Sequence, residues 1–261
     1  MDLDLTDSQM QISLPPRIRE VLVDDQDYVE TLGVAKKLAQ RGCITVVRGF
    51  SSNLELLDVL AVLGPIFEPV ALPPDKSIAP TTVVSEAGFV ASSINWHYDQ
   101  SFAHEPPTWS ALYCDHPGTA SLPSLFADGA GLVSLLSDGF RDMLRRLMAT
   151  HEAYYSLEAA GSSSTIRASH PVIQLVEGKV EALFVSPATV ERFMDWSLQD
   201  SFPVLERLFA MMNWPEITVA HYWQEGDLLL WPNRRYLHRA LPLDAGPEPR
   251  QLRRVVGRWA A

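Results

Sequence analysis

Apolar residues along this chain fall in short runs broken by Gly, Pro, Asp and Ser, and the period inside each run suggests its element. Over residues 27–40, Val29, Leu32, Val34, Ala35 and Leu38 form a partly apolar stripe that predicts a helix, and Gly42 ends it. Residues 43–47 are rich in β-branched side chains and predict a strand. Ser51, Ser52 and Asn53 offer caps for a second helix reaching Leu63, where Gly64-Pro65 stops it. Residues 81–84, 108–114 and 124–127 read as strands, and residues 129–136 and 140–149 as helices. Residues 172–176 and 180–185 predict a hairpin around Glu177-Gly178. Residues 187–196 and 200–212 read as helices, the first with Pro187 in its opening turn. Strands at 217–223, 228–231 and 252–259 complete the pattern.

Short strands with interposed helices fit a mainly β fold with flanking helices, a β-barrel or jelly-roll carrying insertions. Strict β-α-β alternation and a Gly-rich phosphate loop are both missing, which disfavours a nucleotide-binding fold. A chain of 261 residues fits one domain, 1–261, and 47% apolar residues supply an ample core. Residues 1–25 carry mixed signals and read as a loosely packed lead-in. Residues 69–92 are rich in proline and polar residues and read either as a lid over a site or as a plain surface excursion. A net charge of -11 argues against nucleic acid, because nothing offsets phosphate repulsion. Cys43 and Cys114 lack CxxC spacing and read as buried, reduced thiols of a cytoplasmic protein. The N-terminus is acidic where a signal peptide would be basic, and no apolar stretch is long enough to span a membrane.

His97-Tyr98-Asp99 is the candidate chemistry. On an extended strand, positions i and i+2 share a face, so one metal ion could take both side chains. A third, distant histidine would complete a 2-His-1-carboxylate triad, the usual holder of non-haem Fe(II) with sites left open. The tripeptide alone fits equally a core-edge histidine beside a solvated aspartate. His238 is the candidate third ligand: Gly226-Asp227 signals a turn, an apolar strand follows, Asn233 begins another turn, and His238 lies on the next strand. Alternation near the end puts Arg254, Val256 and Arg258 on one face, and Arg253, Val255 and Gly257 on the other. Guanidinium groups aimed into a barrel need anions, supplied either by the protein's own carboxylates or by a bound dicarboxylate. His104, His116, His151, His170 and His221 lack a paired ligand at useful spacing, and Trp96 and Trp231 read as core aromatics.

Three motifs occur in order: Asn95-Trp96-His97-x-Asp99, Gly226-Asp227-x-x-x-Trp231-x-Asn233-x-x-x-x-His238, and Arg253-Arg254-x-x-x-Arg258. With Glu105-Pro106-Pro107, His170-Pro171 and Ser186-Pro187 they resemble the taurine dioxygenase family, Fe(II)- and 2-oxoglutarate-dependent oxygenases on a double-stranded β-helix, a cupin-like jelly-roll. The resemblance implies His97, Asp99 and His238 as iron ligands. It implies Arg254 and Ser124 as partners of the distal carboxylate of 2-oxoglutarate, although Leu122-Pro123 replaces the family's usual Gly-Gly just before Ser124. Arg258 corresponds to an arginine near the substrate. The implied reaction consumes O₂, releases succinate and CO₂, and hydroxylates an unactivated C–H of a small molecule. Related halogenases have Ala or Gly where Asp99 stands, so hydroxylation is expected over halogenation; desaturation, epoxidation and cyclisation use the same ligands. Glu68 and Ala71 stand near the family's sulfonate-binding segment, which disfavours taurine. Glu68 facing an amine and Arg258 a carboxylate would suit an amino-acid-like substrate, as in some secondary metabolism, with Phe102, Tyr98 and Trp109 as candidate lining. Two other readings remain: a Zn(II) or Mn(II) hydrolase or isomerase on the same ligands, which leaves Arg254 and Arg258 unused, and a non-catalytic binding protein.

Overall fold

The structure, a computed structural model, describes residues 16–22, 28–49, 56–67, 81–84, 94–119, 122–157, 162–177, 179–241, 248 and 250–260. Its first half carries β1 (Ile18–Leu22), α1 (Tyr28–Gln40), β2 (Ile44–Arg48), α2 (Leu56–Ala61), β3 (Thr81–Val84), β4 (Trp109–His116) and β5 (Ser124–Asp128). The helices α3 (Gly129–Ser134) and α4 (Asp138–Leu144) follow, then β6 (Met148–Leu157), β7 (Ser162–Pro171), β8 (Ile173–Val176) and β9 (Val180–Leu183). The last part is α5 (Leu198–Met211), β10 (Thr218–His221), β11 (Leu228–Pro232), β12 (Tyr236–Ala240) and β13 (Gln251–Gly257).

Two sheets face each other. One has six strands in the order β1-β2-β11-β4-β13-β3, the other three in the order β10-β5-β12. The period of two explains why both bury apolar residues. In β11, Leu229 and Trp231 enter the core between the sheets, while Leu228 and Leu230 face the opposite side, under α1 and α2. Strand β4 does the same with Leu112 and Cys114 inward and Trp109, Ala111 and Tyr113 outward. In the smaller sheet, Phe126 and Tyr236 point between the sheets, whereas Ala127 and Leu237 join a second core with α5 and the β8–β9 hairpin. Strands buried on both faces read as continuous apolar runs, which is how residues 228–231 stand out in the sequence.

A buried ion pair ties the smaller sheet to the β11–β12 hairpin. Arg235 donates through Nε and Nη2 to the two oxygens of Asp128, at 2.9 and 2.8 Å. Asp128 also caps α3 by accepting from the Ala130 amide at 2.9 Å. The Arg235 guanidinium lies against Gly42, whose φ of +84° and lack of a Cβ leave room for it.

Four expectations change. Within the expected lead-in, residues 18–22 are a sheet strand, paired in parallel with β2. The helix expected over 140–149 ends at Leu144, and Met148 already pairs with Pro171 across a ten-residue hairpin, β6–β7, that the residue pattern did not reveal. The helix expected over 187–196 does not form, because its backbone is bonded sideways to β6. Glu152 donates to Thr189 O at 2.8 Å, Met194 donates to Met148 O at 2.8 Å, and Asp195 has a φ of +62°. Cys43 is half-buried, while Cys114 is buried as expected. Most of the expected lid, 69–92, lies outside the described residues, of which β3 pairs with β13.

Candidate active site

Tyr236 points between the sheets, so His238, two residues on, shares that face; Ser124 shares it with Phe126, and Arg254 with Leu252. The barrel interior therefore receives side chains from β5, β12 and β13 at neighbouring register, since Phe126 pairs with His238 and Ser124 with Ala240. The segment carrying His97 joins the edge of β12. His97 N donates to His238 O at 3.1 Å, and His238 N donates to His97 O at 2.9 Å. This bridge brings the two imidazole rings within 4.1 Å, centre to centre. The His238 ring is walled by Phe126, stacked at 6.0 Å, and by the edge of Trp231 at 4.9 Å.

His97, Asp99 and His238 each offer a ligand atom, and these atoms lie within 4.8 Å of one another. His97 Nδ1 is 2.9 Å from Asn95 O. A carbonyl only accepts, so Nδ1 carries the proton and Nε2 keeps its lone pair for a metal. His238 turns Nε2 toward Asp99 Oδ2, at 3.7 Å. Burial lowers the proton affinity of both histidines, to about 3 for His238, which leaves their nitrogens neutral. Burial alone would raise the Asp99 carboxyl, but the Arg254 guanidinium, with His238 and His97, outweighs it and holds it below the usual carboxylate range. Arg254 donates through Nη1 to Asp99 Oδ1 at 2.7 Å. Oδ2 is buried and has no hydrogen-bond partner among the described residues. Two neutral imidazoles and one ionised carboxylate with an idle, buried oxygen suit a divalent cation, and the set is that of non-haem Fe(II).

The other expected site residues divide. Ser124 is buried, and its Oγ accepts from Trp223 Nε1 at 3.0 Å, so its hydroxyl proton stays free to donate. Arg253 faces away from the triad, bonded to Asp115 at 2.8 Å over the Tyr113 ring. Arg258 donates to Glu105 and lies over Phe67, away from Asp99. Phe102 is buried. Glu68 lies outside the described residues. Two histidines read as bystanders brace the segment after Asp99. His170 Nε2 is 3.0 Å from Ala103 O, and His151 Nδ1 meets Thr189 Oγ1 at 3.0 Å, which itself meets Ser101 Oγ at 3.2 Å. Their sequence surroundings gave no sign of this, because every partner is distant in the chain.

A family model described as "Taurine catabolism dioxygenase TauD, TfdA family" matches residues 21–256. The chain belongs to this family. It is similar to the alpha-ketoglutarate-dependent sulfate ester dioxygenase of Pseudomonas putida, with 26% identity over 62% of this chain and 58% of that protein. It is also similar to pentalenolactone F synthase of Streptomyces avermitilis, with 27% identity over 64% of this chain and 61% of that protein. The chain thus spans about three-fifths of the length of these relatives. Among solved structures, a taurine dioxygenase from Burkholderia xenovorans has the same fold, with a TM-score of 0.75 at 19% identity, covering 95% of this chain and 88% of that one. The TauD fold is the jelly-roll that the two facing sheets form here.

Proposed function

We propose that this TauD, TfdA-family chain is an Fe(II)- and 2-oxoglutarate-dependent dioxygenase that hydroxylates a small molecule. The observation that carries the reading is the His97, Asp99 and His238 cluster, with its ligand atoms within 4.8 Å of one another and Asp99 Oδ2 buried without a hydrogen-bond partner among the described residues. Family membership and two curated relatives with dioxygenase or synthase names support it. In the proposal, His97 Nε2, His238 Nε2 and Asp99 Oδ2 hold Fe(II). Bound there with the 2-oxo acid and O₂, iron supplies the oxidative decarboxylation to succinate and CO₂ and the C–H oxidation coupled to it.

The chain's own contribution is ligation, orientation and shielding. Asn95 O fixes the His97 tautomer. Phe126 and Trp231 hold the His238 ring and keep water from one side of it. Arg254 presents a guanidinium on the inner face, and the Ser124 hydroxyl lies on that face with a proton to give, so the pair suits the distal carboxylate of 2-oxoglutarate. Phe102 is assigned to the substrate side. An amino-acid-like substrate would require Arg258 to exchange Glu105 for the substrate's carboxylate. A cytoplasmic setting belongs to the same proposal, supported by two free cysteines. Among the described residues, no helix is long and apolar enough to cross a membrane.

Anaerobic addition of Fe(II) and 2-oxoglutarate is expected to produce the weak visible charge-transfer band of a metal-chelated 2-oxo acid. Folded protein that gives no band refutes the oxygenase reading. In the same titration, Arg254→Ala is expected to weaken 2-oxoglutarate binding ten- to a hundredfold, because a charge-assisted hydrogen bond contributes roughly 1.5–3 kcal/mol. An unchanged affinity would remove Arg254 from the co-substrate site.

A further inference from the structure

The proposed ligands come from two stretches of chain far apart in sequence, yet all three are registered to one hairpin. His238 lies on β12. His97 is fixed by the two backbone hydrogen bonds it exchanges with His238. At Asp99, two residues on, no strand among the described residues continues the pairing. A side chain from the β11–β12 turn replaces it. Asn233 Oδ1 accepts from Asp99 N at 3.0 Å, and Asn233 Nδ2 donates to Asp99 O at 2.9 Å. This is the donor–acceptor pair that a neighbouring strand would offer, supplied by one carboxamide. Nδ2 also donates to Pro107 O at 3.1 Å, where the chain returns toward β4. Asn233 is fully buried, and its amide donates to Thr108 O at 3.0 Å. The side chain is thus rigidly placed.

Directly after Asp99 the backbone turns sharply. Gln100 has a φ of +49°, a region that side chains with a Cβ seldom occupy. Such a residue persists where its surroundings over-determine it. Here the Asn233 clamp sits on one side, and the Ala103 N to Gln100 O hydrogen bond, 3.0 Å long, closes the turn on the other.

We propose that Asn233 is a positioning residue of the metal centre: it acts through the Asp99 backbone, holding the turn that aims Oδ2 at the point where His97 and His238 converge. The proposal rests on the metal-site reading above. It requires a group that both donates and accepts, and it assigns Asn233 a role that a purely structural turn residue would not have. Removing the clamp leaves Asp99 attached to the chain but free to rotate away from the two imidazoles.

Mn(II) binding, followed by isothermal titration without 2-oxoglutarate, tests it. Asn233→Ala is expected to weaken Mn(II) binding by about ten- to a hundredfold, the range seen when the groups that orient metal ligands are lost. Tyr236→Phe is the control. It deletes a buried hydrogen bond to Gly42 O, 2.8 Å long, from the same hairpin, so it should lower thermal stability and leave Mn(II) affinity unchanged. If Asn233→Ala does not fold, Asn233→Ser, which fills part of the space without bridging both Asp99 groups, is expected to show the same loss. A folded Asn233 variant with the affinity of the parent protein overturns the proposal, as does an equal loss in Tyr236→Phe. A parent protein that does not bind Mn(II) would instead refute the metal-site reading, and the inference with it.

Discussion

An Asp99→Ala protein is expected to fold and to lose metal-dependent succinate formation by more than about a hundredfold, beyond the range for loss of an orienting group alone. Two neutral imidazoles would remain, without the anionic ligand that offsets part of the cation's charge. The fold should survive because the group left without its partner, Arg254, keeps about a third of its side chain in water: its side-chain exposure is 31%. Solvent can take over the hydrogen bond that Oδ1 accepted. Thermal unfolding and succinate release, measured on the same preparation, check both halves. Turnover within tenfold of the parent protein would show that Asp99 is not a ligand.

The second large effect lies away from the chemistry. Asp128→Ala is expected to lower the unfolding free energy by roughly 3–5 kcal/mol, the cost of breaking a buried ion pair from one side. Both partners are almost fully shielded, with side-chain exposures of 4% for Arg235 and none for Asp128. The variant strands a guanidinium packed on Gly42 and strips the cap from α3. The remaining carboxylate nearby, Glu177, lies 4.0 Å from Arg235 Nη1, too far for a hydrogen bond. Urea denaturation measures the loss; a change below about 1 kcal/mol would mean that solvent reaches the Arg235 charge.

How legible each element was follows from where its partners are. Strands β2, β4 and β11 were readable because most of their residues are buried on both faces and show it as an apolar run, whereas β13 has Leu252, Val255 and Val256 buried beside half-buried Arg253 and Arg254. Helix α1 was readable from its stripe, and its buried residues Leu32 and Ala35 lie on it. The β6–β7 hairpin was not, because its strands pair with each other over ten positions while the sequence of both mixes polar, small and apolar residues without a clear period. Residues 187–196 carry helix-compatible spacing, but β6 offers their backbone a set of partners that a helix cannot match. His97, Asp99 and His238 stood out by residue type and motif order, and the structure brings the three together; Ser124 and Arg254 were singled out as co-substrate residues only through the family resemblance. Asn233 lay in a quoted motif without a role, because that role is a pair of bonds to a backbone 134 positions away.

By itself, then, the sequence determined the kinds of group available: an imidazole and a carboxylate at strand spacing, a second imidazole far downstream, and two arginines on one alternating face. Residue chemistry and a period of two are local properties, and they survive without coordinates. The tertiary structure alone decided which of those groups meet. It placed Arg254 on Asp99 and sent Arg258 to Glu105, although alternation put both on one face, since β13 ends at Gly257 and Arg258 lies beyond it. It also chose Asn233 as the clamp on Asp99, because that depends on how two sheets and one hairpin turn pack against each other, and no spacing in the chain encodes it.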